Sequence, residues 1–199
     1  MSIKLIKTAL KTILLVIFSF TLYGQEGIKS FNEIDSNSLK QGIWYSYYLN
    51  GKVCKTENYL DDKKHGTQQE FYENGVIKKI ENFRLGKLEG VTYHFLDTGI
   101  LNFKSYFEKN KKIGTEIHYY WDGTIEIMIE YDNFGRKIYR KTFSPVGDLG
   151  SLTTYKSKKD YTHIYYNENG EYLKSIVENE KIISRVLYDK NNKVIKIEK

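Results

Sequence analysis

Four histidines and one cysteine are the side chains of this sequence best suited to hold a metal or move a proton near neutral pH. His94 and His118 lie 24 residues apart, with Glu70 at the equivalent place 24 residues before His94. That spacing points to a shared metal or an acid–base pair only if the chain returns to one place every 24 residues. If it returns as successive hairpins, equivalent positions stand two strand spacings apart, about 9.5 Å, which is wide for a shared ion. Surface ladder residues are therefore the expectation for His94 and His118, and no metal ligand is assigned. His65, in Lys63-Lys64-His65-Gly66, and His163 have no partner visible in the sequence. A hydrolase needs a nucleophile beside a base in a special turn; no such arrangement, phosphate-binding loop, zinc spacing or dinucleotide fingerprint is present. The expectation is a non-enzyme with no cofactor.

The elements behind these residues are repeats. Gly42, Gly66, Gly90 and Gly114 recur every 24 residues, as do Gly51, Gly75, Gly99, Gly123 and Gly147. Two aromatic series keep the same interval, Tyr47, Phe71, Phe95, Tyr119, Phe143 and Tyr59, Phe83, Phe107, Tyr131, Tyr155. In the unit opening at Gly66, a strand ending at Phe71-Tyr72 meets Asn74-Gly75 and a second strand returns to Phe83. Asn-Gly between strand-forming runs marks a hairpin, both residues tolerating the positive φ of a two-residue turn. A looser Lys/Gly-containing turn near residues 60–65, 84–89 and 108–113 then leads to the next hairpin. With 18 Tyr, 10 Phe and one Pro, the fold class expected is all-β: an elongated antiparallel meander of consecutive 24-residue hairpins.

Side chains alternate across a strand, so Val53, Ile77, Leu101, Ile125 and Leu149 share a face with the Tyr59-to-Tyr155 series, and that face is expected to carry most of the core. The inter-hairpin turns stack Lys63, Lys64, Lys87, Lys111, Lys112 and Arg136 along one edge, a candidate interaction edge for an acidic protein surface or anionic lipid headgroups. Trp44, Tyr48, Tyr72 and Tyr120 form a candidate aromatic face, suited to a protein or a sugar ring. Charges such as Lys78, Lys79, Glu81 and Glu126 fall on both strand faces, which excludes a membrane barrel.

Lys4, Lys7 and Lys11 precede the apolar run Thr12–Leu22, and Gly24 ends it before a polar stretch. This reads as a signal peptide over 1–24, since the run is well short of the roughly 20 apolar residues of a spanning helix. An exported protein, periplasmic, at the cell envelope or extracellular, and not integral to the membrane after cleavage, is the expectation. Losing those three lysines halves the formal charge of +6, which removes the main support for a nucleic-acid partner. Cys54 is the single cysteine, so no internal disulfide can form, and it is read as a half-buried strand residue. The chain divides into the leader 1–24, an N-terminal cap 25–41, regular repeats 42–155, and degenerate repeats with a C-terminal cap 156–199, where Lys190, Lys193, Lys196 and Lys199 blunt the terminal edge.

Gly42-Ile-Trp-Tyr-Ser-Tyr-Tyr-Leu-Asn-Gly-Lys52 resembles the unit of the MORN-repeat variant found in bacterial proteins of the YwqK antitoxin family. Gly66 to Gly75 and Gly114 to Gly123 match without the Trp, and the resemblance covers about Gly42 to Tyr155. It implies a repeat scaffold that binds another protein, antitoxin-like or immunity-like, without catalytic residues. A module binding anionic lipid headgroups or glycans is the alternative.

Overall fold

The computed structural model describes residues 31–198. The signal-peptide reading of 1–24, the first part of the N-terminal cap (25–30) and Lys199 lie outside them. The described strands are β1 Glu33–Ile34, β2 Lys40–Tyr47, β3 Val53–Leu60, β4 Lys63–Lys64, β5 Gly66–Phe71, β6 Ile77–Arg84, β7 Lys87–Leu88, β8 Gly90–Phe95 and β9 Leu101–Glu108. They continue as β10 Lys111–Tyr119, β11 Ile125–Tyr131, β12 Lys137–Phe143, β13 Leu149–Tyr155, β14 Tyr161–Tyr166, β15 Tyr172–Glu178, β16 Lys181–Tyr188 and β17 Val194–Glu198.

All belong to one open 17-stranded sheet, the all-β meander expected, in which every ladder between these strands is antiparallel. The short β4 and β7 are the beginnings of β5 and β8, cut off where the register against β3 and β6 slips. Gly66 sits at the first slip with φ 87, a left-handed conformation that a side chain resists. The pairing also explains why glycine and aromatic share a period. Gly42, Gly66, Gly90 and Gly114 stand opposite Tyr59, Phe83, Phe107 and Tyr131, so each ring has bare backbone beside it.

The two kinds of turn are the reverse of the sequence reading. At the Asn-Gly turns only the glycine has positive φ, as at Gly75 (φ 89), and Gly75 N–H donates to Tyr72 O at 2.8 Å. This is a type I turn closed by a left-handed glycine, and Asn is favoured for a different reason. The Oδ1 atoms of Asn50, Asn74 and Asp122 accept the backbone N–H two residues on, from Lys52, Val76 and Thr124, at 3.0, 3.0 and 2.9 Å. The supposedly looser turns are the tight two-residue ones, with both central residues at positive φ: Asp61-Asp62, Leu85-Gly86 and Lys109-Asn110. Consecutive turns of this edge are tied together, Gly86 N–H donating to Lys64 O at 2.7 Å and Asn110 N–H to Leu88 O at 2.9 Å.

The buried side chains share one face, the one holding Tyr59, Phe83, Phe107 and Tyr131. The expectation that this face carries the core is half met. Ile129 and Val177 are its buried apolar residues, whereas Gln68, Thr92, Ser105, Glu116, Ser151, Thr153 and Ser175 are buried and polar. Polar or charged residues meet at the middle of several strand pairs on this face, as in Gln68 opposite Glu81 and Thr92 opposite Ser105. The aliphatic positions Val53, Ile77, Leu101, Ile125 and Leu149 lie at the strand ends beside the bulges and are half-buried.

Candidate functional site

The charged residues of this inner face form a lattice running across the strands. Lys55 meets Glu57 at 2.9 Å and Glu70 at 3.8 Å, Lys64 meets Glu57 at 2.8 Å, and Lys79 meets both Glu70 and Glu81 at 3.2 Å. Farther along, the Glu116 carboxylate accepts from His118 Nε2 at 2.9 Å and from Lys112 Nζ. Burial works to raise the Glu116 pKa, but the hydrogen bonds from His118 and Lys112 outweigh it and hold the carboxyl below its ordinary value.

His94 and His118 do face the same side, but they do not meet. The Phe103 ring lies between them, its centroid 4.0 Å from His94 and 5.0 Å from His118, nearly parallel to both. This is an aromatic stack, and among the described residues no group of three or more His, Cys, Asp or Glu is placed to hold a metal. Burial, followed by the charge of Lys79, holds His94 below its ordinary pKa. His163 pairs with Thr153 Oγ1 at 2.8 Å, His65 is exposed beside the Gly66 bulge, and Cys54 is half-buried.

The candidate basic edge divides in two. Lys64 and Lys112 turn onto the inner face, Lys64 over the Phe83 ring at 5.2 Å and Lys112 between Phe107 and Tyr131 at 5.6 and 5.5 Å. Arg136 is held by Asp132, with Nε 2.7 Å from Oδ2. Lys63, Lys87 and Lys111 are exposed and have no ion-pair partner among the described residues, with Lys111 Nζ 6.0 Å from the centre of the Phe134 ring.

The candidate aromatic residues also separate. The hydroxyls of Tyr48, Tyr72 and Tyr120 donate to the carbonyls of Phe71, Phe95 and Phe143, the last two at 2.8 Å, each sewing one hairpin turn to the next. Trp44 lies elsewhere, on the inner face, with Nε1 donating to Gln41 O at 3.1 Å and its ring 6.2 Å from Tyr59.

Two features escaped the sequence reading. One is the strand β17, whose five residues are all exposed and alternate Ile195 and Ile197 with Lys196 and Glu198. The four lysines of this region had suggested a blunted edge, yet apolar residues occupy every second position. The other is a cavity of about 760 Å³ where the edge connections lengthen to 132–136 and 156–160. A signal for it was present: the glycine series ends at Gly114, Ile138 occupies the next position, and Gly135 falls out of period.

Residues 40–61 and 64–84 match the MORN repeat variant family. No curated protein matches the chain. A solved structure of an S. aureus TarM mutant in complex with Fondaparinux, alpha-GlcNAc-glycerol and UDP is similar at 15% identity and a TM-score of 0.33. The similarity covers 45% of this chain and 18% of that one, so this chain spans less than a fifth of its length, and the likeness carries no argument. With hairpins of the same register continuing beyond the matched segments, the chain is a β-repeat protein that carries MORN-variant units.

Proposed function

We propose that the chain is an exported, non-catalytic scaffold that binds a protein partner through its exposed strand β17. The observation supporting this reading is β17, where Ile195 is 52% and Ile197 62% exposed and the side away from β16 has no pairing strand among the described residues. Such an edge is a template for strand addition: backbone groups supply affinity, and alternate side chains supply specificity. A partner strand would meet an apolar row, Ile195 and Ile197, on one face and a charged row, Lys196 and Glu198, on the other. Export by the leader at 1–24, with a place in the periplasm, the envelope or outside the cell, is part of the proposal. So is its narrower antitoxin-like form, in which the partner is a toxin.

The test is affinity capture from the envelope fraction of the source organism. The full chain carries a tag in the exposed Asp97–Gly99 turn, and an Ile195→Lys, Ile197→Lys variant is run beside it. A stoichiometric protein that survives high salt and disappears with the variant is the expected result. Recovery of lipid or glycan alone, lost in salt or on neutralising Lys63, Lys87 and Lys111, would overturn it. That outcome would promote the reading in which the exposed lysine row binds anionic headgroups or glycans.

A further inference from the structure

The regular units close their lysine-bearing edge with two-residue turns, as at Asp61-Asp62, Leu85-Gly86 and Lys109-Asn110. After β11 this changes. Asp132–Arg136 and Lys156–Asp160 are five-residue connections, the first closed by Gly135 N–H to Asp132 O at 2.9 Å, the second by Lys156 N–H to Asp160 O at 3.0 Å. They flank the cavity of about 760 Å³, which falls in the size range of small-ligand sites. Its lining residues include Tyr131 and Tyr155 together with Arg136, Lys137, Lys156 and Lys158.

The charge there is unbalanced. Asp132, the carboxylate of the lining, accepts from Arg136 Nε at 2.7 Å and from the backbone N–H groups of Phe134 and Arg136, each at 2.9 Å. Lys137, Lys156 and Lys158 have no ion-pair partner among the described residues, and Lys137 Nζ stands 5.9 Å from the centre of the Tyr155 ring. Tyr131 and Tyr155 are half-buried, and burial, then Glu116 and Tyr155, pushes the Tyr131 hydroxyl up to about 12. Three lysines without an ion-pair partner and two tyrosines among the residues lining one cavity suit a ligand with a concentrated negative charge and a ring that can lie on an aromatic face.

We propose that this cavity binds an acidic sugar, with the anionic group held by Lys137, Lys156 and Lys158 and the sugar ring against Tyr155. The site is independent of the β17 edge, so either can fail alone. The experiment is calorimetric titration of the full chain with glucose 6-phosphate, glucuronate and glucose. Affinity should fall in that order, because a dianion satisfies more of the three cations than a monoanion, and the neutral sugar satisfies none. A Lys137→Gln, Lys156→Gln, Lys158→Gln variant should weaken glucose 6-phosphate binding by about tenfold or more. Tyr155→Leu should weaken both acidic sugars while leaving inorganic phosphate unaffected. A Lys63→Gln, Lys87→Gln, Lys193→Gln variant removes the same charge at exposed positions away from the cavity and should bind normally. Equal loss in the two triple variants would reduce the effect to net charge and overturn the proposal. So would the absence of saturable binding by either acidic sugar to the folded wild-type chain.

Discussion

At the scale of single residues, Glu116 keeps a carboxylate on a sheet face where its side chain is only 7% exposed, because Lys112 and His118 both reach it. Its folded pKa lies below the ordinary 4.5, and that of His94 lies below the ordinary 6.5. For both groups the unfolded chain takes up the proton first as pH falls. Their contributions are therefore complete above the unfolded values and lost on acidification. Stability should decline as pH drops through 6.5, where His94 begins to titrate in the unfolded chain, and decline further below 4.5, where Glu116 does. Urea midpoints at about pH 8, 5.5 and 3.5 test this. His94→Phe, which keeps the stack on Phe103, should reduce the first decline, which His163 shares, and Glu116→Gln the second, which Glu57 shares. A wild-type chain more stable at the middle pH than at the highest would contradict the assignment.

The elements are hairpins whose two edges obey different turn rules, and the difference can be measured. Leu85 occupies the first position of a two-residue turn at φ 49, a conformation poorly tolerated by its side chain. Leu85→Asn should raise stability by about 1 kcal/mol, since the left-handed conformation costs an ordinary residue roughly 1–2 kcal/mol more than it costs Asn or Gly. Gly75→Ala should lower stability by a similar amount; an added Cβ meets nothing within 4 Å there, so the loss is purely conformational. Urea unfolding of both variants checks the pair, and a loss at Leu85→Asn would show that its apolar contacts outweigh the backbone term. The hairpins themselves were legible, because Gly75 and Phe83 recur with their counterparts at one period and register follows from turn position. The turn chemistry was not. Asn74-Gly75 reads the same whether Asn supplies a positive φ or a side-chain acceptor, and Asp61-Asp62 has no Gly to announce its conformation. The polar centre of the inner face was also hidden, since Gln68, Thr92 and Ser105 have the parity of the aromatics but no hydrophobic pattern of their own. The cavity followed from a break in period at Gly114, and a break shows where regularity ends without showing what replaces it.

Across the described residues, with β4 and β7 taken as the beginnings of β5 and β8, every ladder joins strands consecutive in sequence, from β1–β2 to β16–β17, and no pairing among them ties the ends of the sheet together. With Ile129 and Val177 as the buried apolar side chains, each hairpin is held mainly by its two neighbours, and stability becomes a sum of local terms. Cooperativity in such an array decays with distance, which separates it from a globular domain of equal size. Ile129→Ala empties a buried position on β11, where it stands opposite Glu116 of β10 and Arg140 of β12. Amide hydrogen exchange should therefore speed up in β10, β11 and β12, and hardly change in β3, β5 and β6. The outer amides of β17 should exchange fastest in the wild-type chain, having no strand beyond them among the described residues. A uniform loss of protection from β3 to β16 would mean that the sheet unfolds as one unit, and that contacts beyond nearest neighbours carry its stability.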